Sequence, residues 1–223
     1  MNYQRSSSKT HHYSALLWDN DGVLVDTERL HFQSTSDVFE QAGIKLTLQQ
    51  YVDYFLKQSK GTSKFAAAHG LSVAEIADIK EARDTRYSQL LEKEPIVIDG
   101  VRETLNELRP NFTMGIVTSS RRHHLEAMHE RTGLLEFFDF IVSREDYTNS
   151  KPAPDPYLAA ITRSGSPANN CLAIEDALRG LIAAQAANLD CWIIPTELTQ
   201  AIPFSGEKRR LNTISDAANL LIR

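Results

Sequence analysis

The chain has 223 residues, 42% of them hydrophobic, enough for one large domain or for a core domain with a smaller insertion, and this excludes wholesale disorder. A formal net charge of −5 gives no general attraction to nucleic acid or to an anionic membrane, so an anionic ligand has to be captured by a local arrangement. No stretch approaches the roughly 20 apolar residues of a membrane span, and Cys171 and Cys191 each open an apolar run and read as inert buried thiols; a monomer in a reducing cytoplasm is expected.

The leader "MNYQRSSSKTHHYS" has no apolar segment of the secretion-signal kind. Residues 1–13 read as a disordered polar tail in which His11 and His12 carry no function. The apolar run "ALLW" at 15 then predicts a first strand, which ends on Asp19-Asn20-Asp21-Gly22. Residues i and i+2 of a strand share a side, so Asp19 and Asp21 project together while Asn20 points away as a spacer. Gly22 lets the backbone turn sharply. Alone, the stretch is as well explained by a polar turn as by a metal site.

From Arg29 to about Ile98 no comparable strand appears, only helix-like stretches around "LHFQSTSDVFEQAG", "TLQQYVDYFLKQ" and "SVAEIADIKEARDTRYSQLLEKE". Residues 29–97 are therefore expected to form an inserted all-helical cap with its own small core, and residues 1–28 plus 98–223 the main domain. Ligands of open α/β sheets bind outside the carboxyl ends of the strands, so an insertion leaving that edge is placed to act as a lid. After it, apolar β-rich runs at 112 ("FTMGIVT"), 137 ("FFDFIV"), 171 ("CLAI"), 191 ("CWIIP") and 212 ("NTI") alternate with helical segments. That alternation predicts an α/β fold with a doubly wound, Rossmann-like parallel sheet covered on both faces. The C-terminal segment reads as a loop, a last short strand and a closing helix, without chemistry.

The other strand ends carry more. "MGIVT" runs into Thr118-Ser119-Ser120 ahead of a helix, which supplies hydroxyls and free N–H groups for an anion, although a plain N-cap explains the same residues. Lys151 precedes a stiff Pro-x-Pro segment that can hold a point charge in place, and Asp155-Pro156 reads as an N-cap followed by proline at the first helical position. "CLAI" ends in a second acidic pair, Glu175-Asp176. Two acidic pairs, a lysine and a hydroxyl on one edge suit Mg²⁺, which takes hard oxygen ligands and substrate phosphate.

With "DNDGVLVDTE", "VTSS", "SKPAPDPY" and "IEDALRGLIAAQAANL" in this order, the chain resembles the haloacid dehalogenase superfamily of phosphotransferases. It is most similar to the helical-cap branch of β-phosphoglucomutase-like and phosphoglycolate-phosphatase-like enzymes. The resemblance implies a Mg²⁺-dependent phosphatase acting on a small phosphorylated metabolite. Asp19 would be the nucleophile, forming an aspartyl-phosphate, and Asp21 the general acid and then base. Thr118 and the Ser119 N–H would hold phosphoryl oxygens, with Lys151 neutralising their charge. Asp19, Asp176 and the Asp21 carbonyl would bind Mg²⁺, with Glu175 in or just outside that shell.

His31 falls where the mutase group has a histidine at the hinge into the cap. Lys64 falls where the mutase has a phosphate-holding arginine, a replacement that loses the bidentate fork. Lys57, Lys60 and Lys64 could form an anion-attracting strip, or simply a solvated helix face. In "IDGVRETL", Asp99 stands where the family often has proline. The other readings are β-phosphoglucomutase-type transfer, a non-enzymatic aspartyl-phosphate switch, and a binding protein without catalysis. A dehalogenase attacking carbon has no use for Asp21.

Overall fold

In the computed structural model, which describes residues 12–58 and 60–222, strand β1 (Ala15–Trp18) is buried along its whole length, as a strand covered on both faces requires. The chain then runs through α1 (Thr27–Gln41), α2 (Leu48–Tyr51, continued by a π-helical turn over Val52–Lys57), α3 (Gly61–Ala68) and α4 (Val73–Lys93). It continues through α5 (Val101–Leu108), β2 (Thr113–Val117), α6 (Arg122–Glu130), β3 (Phe140–Val142) and α7 (Asp155–Ser164). The last elements are β4 (Cys171–Glu175), α8 (Leu178–Ala186), β5 (Asp190–Ile193), β6 (Arg209–Arg210) and α9 (Ser215–Ile222). Contacts divide these into two compact units, one built from residues up to Leu24, Ile98–Pro195 and the segment from Phe204 onward, the other from Val25–Val97 with Thr196–Pro203.

The first unit carries a 6-stranded, all-parallel sheet in the order β3-β2-β1-β4-β5-β6. From β1 the chain winds outward through β2 and β3, then returns to the other side of β1 to place β4. That reversal between β1 and β4 is the switch point at which open α/β sheets take their ligands. Alternation divides the strands: Ala15, Leu17, Val117, Val142 and Ala173 pack with Tyr157 and Ala160 of α7 and with Leu181, Ala183 and Ala184 of α8. Gly115 on β2 leaves room for the Phe140 ring, which a Cβ there would meet at 2.2 Å.

The second unit is helical and has its own core, in which Val38 and Phe39 of α1, Leu46, Tyr51, Phe65 and Ala66 of α3 and Ile79 of α4 are buried together. Two of its helices, α2 and α4, start where side chains satisfy free N–H groups: Thr47 with Gln50, and Ser72 with Glu75, form reciprocal capping boxes. α3, which covers "GTSKFAAA", was not anticipated as a separate helix.

Other details differ from expectation. The last strand is Arg209–Arg210, paired with Trp192 and Ile193, and not "NTI" at 212, because the Asp216 carboxylate takes the N–H groups of Asn212 and Thr213 to cap α9. Of "FFDFIV" only Phe140–Val142 is strand; Phe137 closes a 3-10 turn that starts at Leu134. Asp155 is the first helical residue of α7 and not its N-cap; its carboxylate instead accepts from the backbone N–H and the amide of Asn149. The expected tail lies, up to residue 11, outside the described residues. Tyr13 is buried and donates to Asp190 at 2.6 Å, and this bond together with burial holds its phenol well above the ordinary range. Among the described residues no helix is long and apolar enough to cross a membrane.

Candidate active site

Because Trp18 is level with Ile174 in adjacent strands, the residues after them emerge side by side: Asp19 from β1, Glu175 and Asp176 from β4. The Asp19 N–H donates to the Ile174 carbonyl at 2.9 Å, which ties the two exits together. Asp19, Glu175 and Asp176 are all buried, and each presents an oxygen within 4.8 Å of the others'. Lys151, from the loop between β3 and α7, reaches into the same place and is buried. Its ammonium donates to Asp19 Oδ1 at 2.9 Å, to Glu175 Oε1 at 2.6 Å and to the Val117 carbonyl at 2.8 Å, so all three of its protons are used. Burial by itself would lower this lysine's pKa, but the Asp19 and Glu175 charges outweigh it and hold the ammonium above the ordinary range. Burial, reinforced by the Asp19 charge, pushes Glu175 upward.

Three carboxylates against one ammonium leave this buried place with an excess of negative charge. Glu175 Oε2 is in addition a buried oxygen with no hydrogen-bond partner. Oxygen donors this close together, in such an excess, fit a small hard divalent cation. Gly22, at φ +84, brings the turn after Asp21 against the cluster: a Cβ there would lie 2.3 Å from Asp176 Oδ2.

The structure also places the remaining candidates. Thr118 is buried at the end of β2, and its hydroxyl accepts from the Ser120 N–H at 3.0 Å. Ser119 is half-buried beside it, and the Ser120 hydroxyl donates to the half-buried Asp21 Oδ2 at 3.3 Å. Asp19, Asp21, Thr118, Ser119, Lys151, Glu175 and Asp176 thus belong to the sheet unit, while His31 and Lys64 belong to the helical one. There Tyr51 donates its phenol proton to Glu28 at 2.5 Å, and His31 Nδ1 lies 2.8 Å from the Tyr51 oxygen, which makes it the donor. Lys64 is exposed on α3. Of the other two lysines in that row, Lys57 pairs with Asp53 at 2.8 Å and Lys60 sits over the Tyr54 ring at 4.8 Å.

Three contributors were not singled out from the sequence. Tyr157 in the first turn of α7 is buried and donates to Glu175 Oε1 at 2.5 Å. Gly180 lies so close to Glu175 that a Cβ would sit 2.0 Å from its carboxylate. His129 on α6 bonds Asn20 at 2.7 Å, so Asn20, expected only as a spacer, is a fully buried and bonded amide. Only Tyr157 had a usable signal, an aromatic following "KPAPDP" on the helix that carries Lys151's loop back to the sheet.

A family model described as haloacid dehalogenase-like hydrolase matches residues 16–194. The chain is 35% identical over 85% of its length to Protein SUPPRESSOR OF QUENCHING 1, chloroplastic, from Arabidopsis thaliana, and spans only 18% of that protein. It is 30% identical to Protein CbbY of Rhodobacter capsulatus, covering 93% of this chain and 96% of that one. With the fructose-1-phosphate phosphatase YqaB of Escherichia coli (strain K12) the identity is 29% over 80% of this chain and 94% of that protein. A solved structure of a CbbY mutant from Rhodobacter sphaeroides in complex with xylulose-(1,5)bisphosphate superposes with a TM-score of 0.75 at 26% identity, covering 92% of this chain and 96% of that one. The matched residues run from β1 through β5 and take in both acidic pairs and the lysine between them, and the chain therefore belongs to the haloacid dehalogenase-like hydrolase family and is an enzyme of that family.

Proposed function

We propose that this enzyme is a Mg²⁺-dependent phosphatase that hydrolyses a small phosphomonoester, a sugar phosphate or similar metabolite, through an aspartyl-phosphate on Asp19. The observation that carries this reading is the buried cluster of Asp19, Glu175 and Asp176, in which the Lys151 ammonium bonds Asp19 and Glu175. Similarity to a fructose-1-phosphate phosphatase, and to a structure holding xylulose bisphosphate, supports a phosphorylated sugar as substrate.

Asp19 attacks phosphorus; the bond from phosphorus to the ester oxygen breaks, and Asp21 gives its proton to the departing alkoxide. Asp21 then takes a proton from the incoming water, whose oxygen attacks the same phosphorus, and the bond to Asp19 breaks to release phosphate and the free carboxylate. Asp21 is suited to this traffic because it stands outside the three-carboxylate cluster and is held by a neutral hydroxyl, that of Ser120. Lys151 steadies Asp19 and neutralises transferring oxygens, and Thr118 with the Ser119 N–H holds them, so the chain mainly supplies position and compensating charge. Mg²⁺, held by Asp19, Asp176, the Asp21 carbonyl and Glu175, would neutralise further charge on the phosphoryl group.

Purified protein with Mg²⁺ is expected to release phosphate from p-nitrophenyl phosphate and from members of a panel of sugar phosphates. Asp19→Asn and Asp21→Asn are each expected to lose about 10³-fold or more in kcat, the scale of a nucleophile or an acid/base group. Activity that persists in EDTA, or in Asp19→Asn, removes this mechanism.

A further inference from the structure

We infer that His129 is a positioning residue for the nucleophile loop, fixing through the Asn20 side chain the directions in which Asp19 and Asp21 point. This rests on the reading of those two aspartates as nucleophile and acid/base. Asn20 lies between them, and its side chain leaves the backbone on the opposite side, where it works as a handle on the loop. The backbone is already held on either side of it: Asp19 donates to Ile174, and the Asn20 carbonyl accepts from Leu24 at 2.9 Å and from Val23 at 3.4 Å. What remains is rotation about Asn20 itself, which sets the angle between the two carboxylates.

The handle is gripped by a chain of hydrogen bonds with one direction. Asn20 Oδ1 can only accept, so His129 Nε2 carries the ring proton and donates to it at 2.7 Å. Nδ1 of the neutral ring is thereby the acceptor, taking the proton of the Thr132 hydroxyl at 2.7 Å, whose oxygen accepts the Leu134 N–H at 3.2 Å. The Asn20 amide faces Met128 Sδ at 3.6 Å, and the Arg102 guanidinium donates to the Thr132 carbonyl, fastening the far end to α5. Burial pushes the His129 imidazole down to about 4, which keeps it neutral and in this one tautomer near neutral pH. An apolar residue at position 20 would need none of this. A fully buried amide does, because without its partner it keeps the whole cost of desolvation and turns to seek another.

The test is steady-state hydrolysis of p-nitrophenyl phosphate with Mg²⁺ by His129→Leu, His129→Gln, Thr132→Val, Asn20→Leu, the Asn20→Leu/His129→Leu pair and Asp19→Asn, with a melting curve for each. His129→Leu is expected to lose about tenfold in kcat with KM within about twofold, since misaligned reacting groups cost rate more than binding. His129→Gln, which keeps an N–H toward Asn20, restores most of that loss, and the double variant is no slower than the slower single one. Wild-type kcat in folded His129→Leu, or losses that multiply in the double variant, overturns the proposal. If His129→Leu does not fold, Thr132→Val decides: it keeps the imidazole and frees Nδ1, a severalfold fall in kcat is expected, and wild-type kcat again overturns the proposal. An active Asp19→Asn removes the underlying mechanism and the proposal with it. An inactive Asp19→Asn beside a His129→Leu of wild-type rate removes only the positioning role.

Discussion

Gly22 illustrates how tightly single residues determine the site. Its φ of +84 is a conformation that L side chains rarely adopt, and a Cβ built there would stand 2.3 Å from Asp176 Oδ2, so both backbone strain and lack of space exclude a side chain. Gly22→Ala is expected to displace the Asp176 carboxylate, lowering kcat/KM by about 10²-fold and raising the Mg²⁺ concentration needed for half-maximal activity. A Mg²⁺ titration of the hydrolysis rate measures both, and a wild-type curve would count against the placement of Asp176. Glu175 is confined in a similar way from three sides: Lys151 and Tyr157 share its Oε1, and Gly180 leaves space for the carboxylate that any Cβ would take. The charge of Glu175 is thus tolerated in the core because its partners reach it from the loop after β3 and from the start of α7.

At the scale of elements, what could be read from the sequence and what could not separate by distance along the chain. The strands that carry the acidic pairs were legible because each is a short apolar run closed by carboxylates, as at Trp18-Asp19 and Ile174-Glu175, and period-two alternation fixes which side chains share a side. His129 and Gly180 were not, because their roles depend on pairings that only the folded sheet creates, such as His129 on α6 meeting Asn20 after β1. The Asp53–Lys57 pair of the helical unit is, by contrast, a contact across one helical turn, of the kind that spacing along the sequence displays. The buried imidazole on α6 also has a measurable consequence for stability. Its pKa lies at about 4 in the fold against an ordinary 6.5, so between these values the unfolded chain binds a proton that the folded chain refuses. Stability therefore stays level above pH 6.5 and falls as pH drops through 6.5 toward 4, by up to about 3 kcal/mol from this group. Urea midpoints compared for wild type and His129→Gln across that range isolate the effect: the variant's curve should be flatter, and parallel curves would show that His129 is not held neutral.

At the scale of the whole molecule, the sheet unit and the helical unit each carry a core of their own. The helical core is drawn from residues between Phe32 and Ile79, and aromatic rings dominate it: Phe65 lies edge-on to Phe39 at 5.1 Å and to Tyr54 at 5.4 Å, and Tyr51 stacks on Phe55 at 4.7 Å. The sheet core is drawn from β1 to β5 and the helices α7 and α8, and residues as far apart as Ala15 and Ile193 share it. Damage to one core is accordingly expected to act first on its own unit. Phe65→Ala empties the centre of the helical core, which by its burial should cost about 3–5 kcal/mol there. The amides of β1, β2 and β4 hydrogen-bond within the parallel sheet, and Phe65 belongs to the core of the other unit, so their protection against hydrogen exchange should be retained while that of α1, α3 and α4 falls. Native-state exchange followed peptide by peptide tests this directly. An equal loss of protection in β1 and in α3 would mean that the two cores open as one cooperative body.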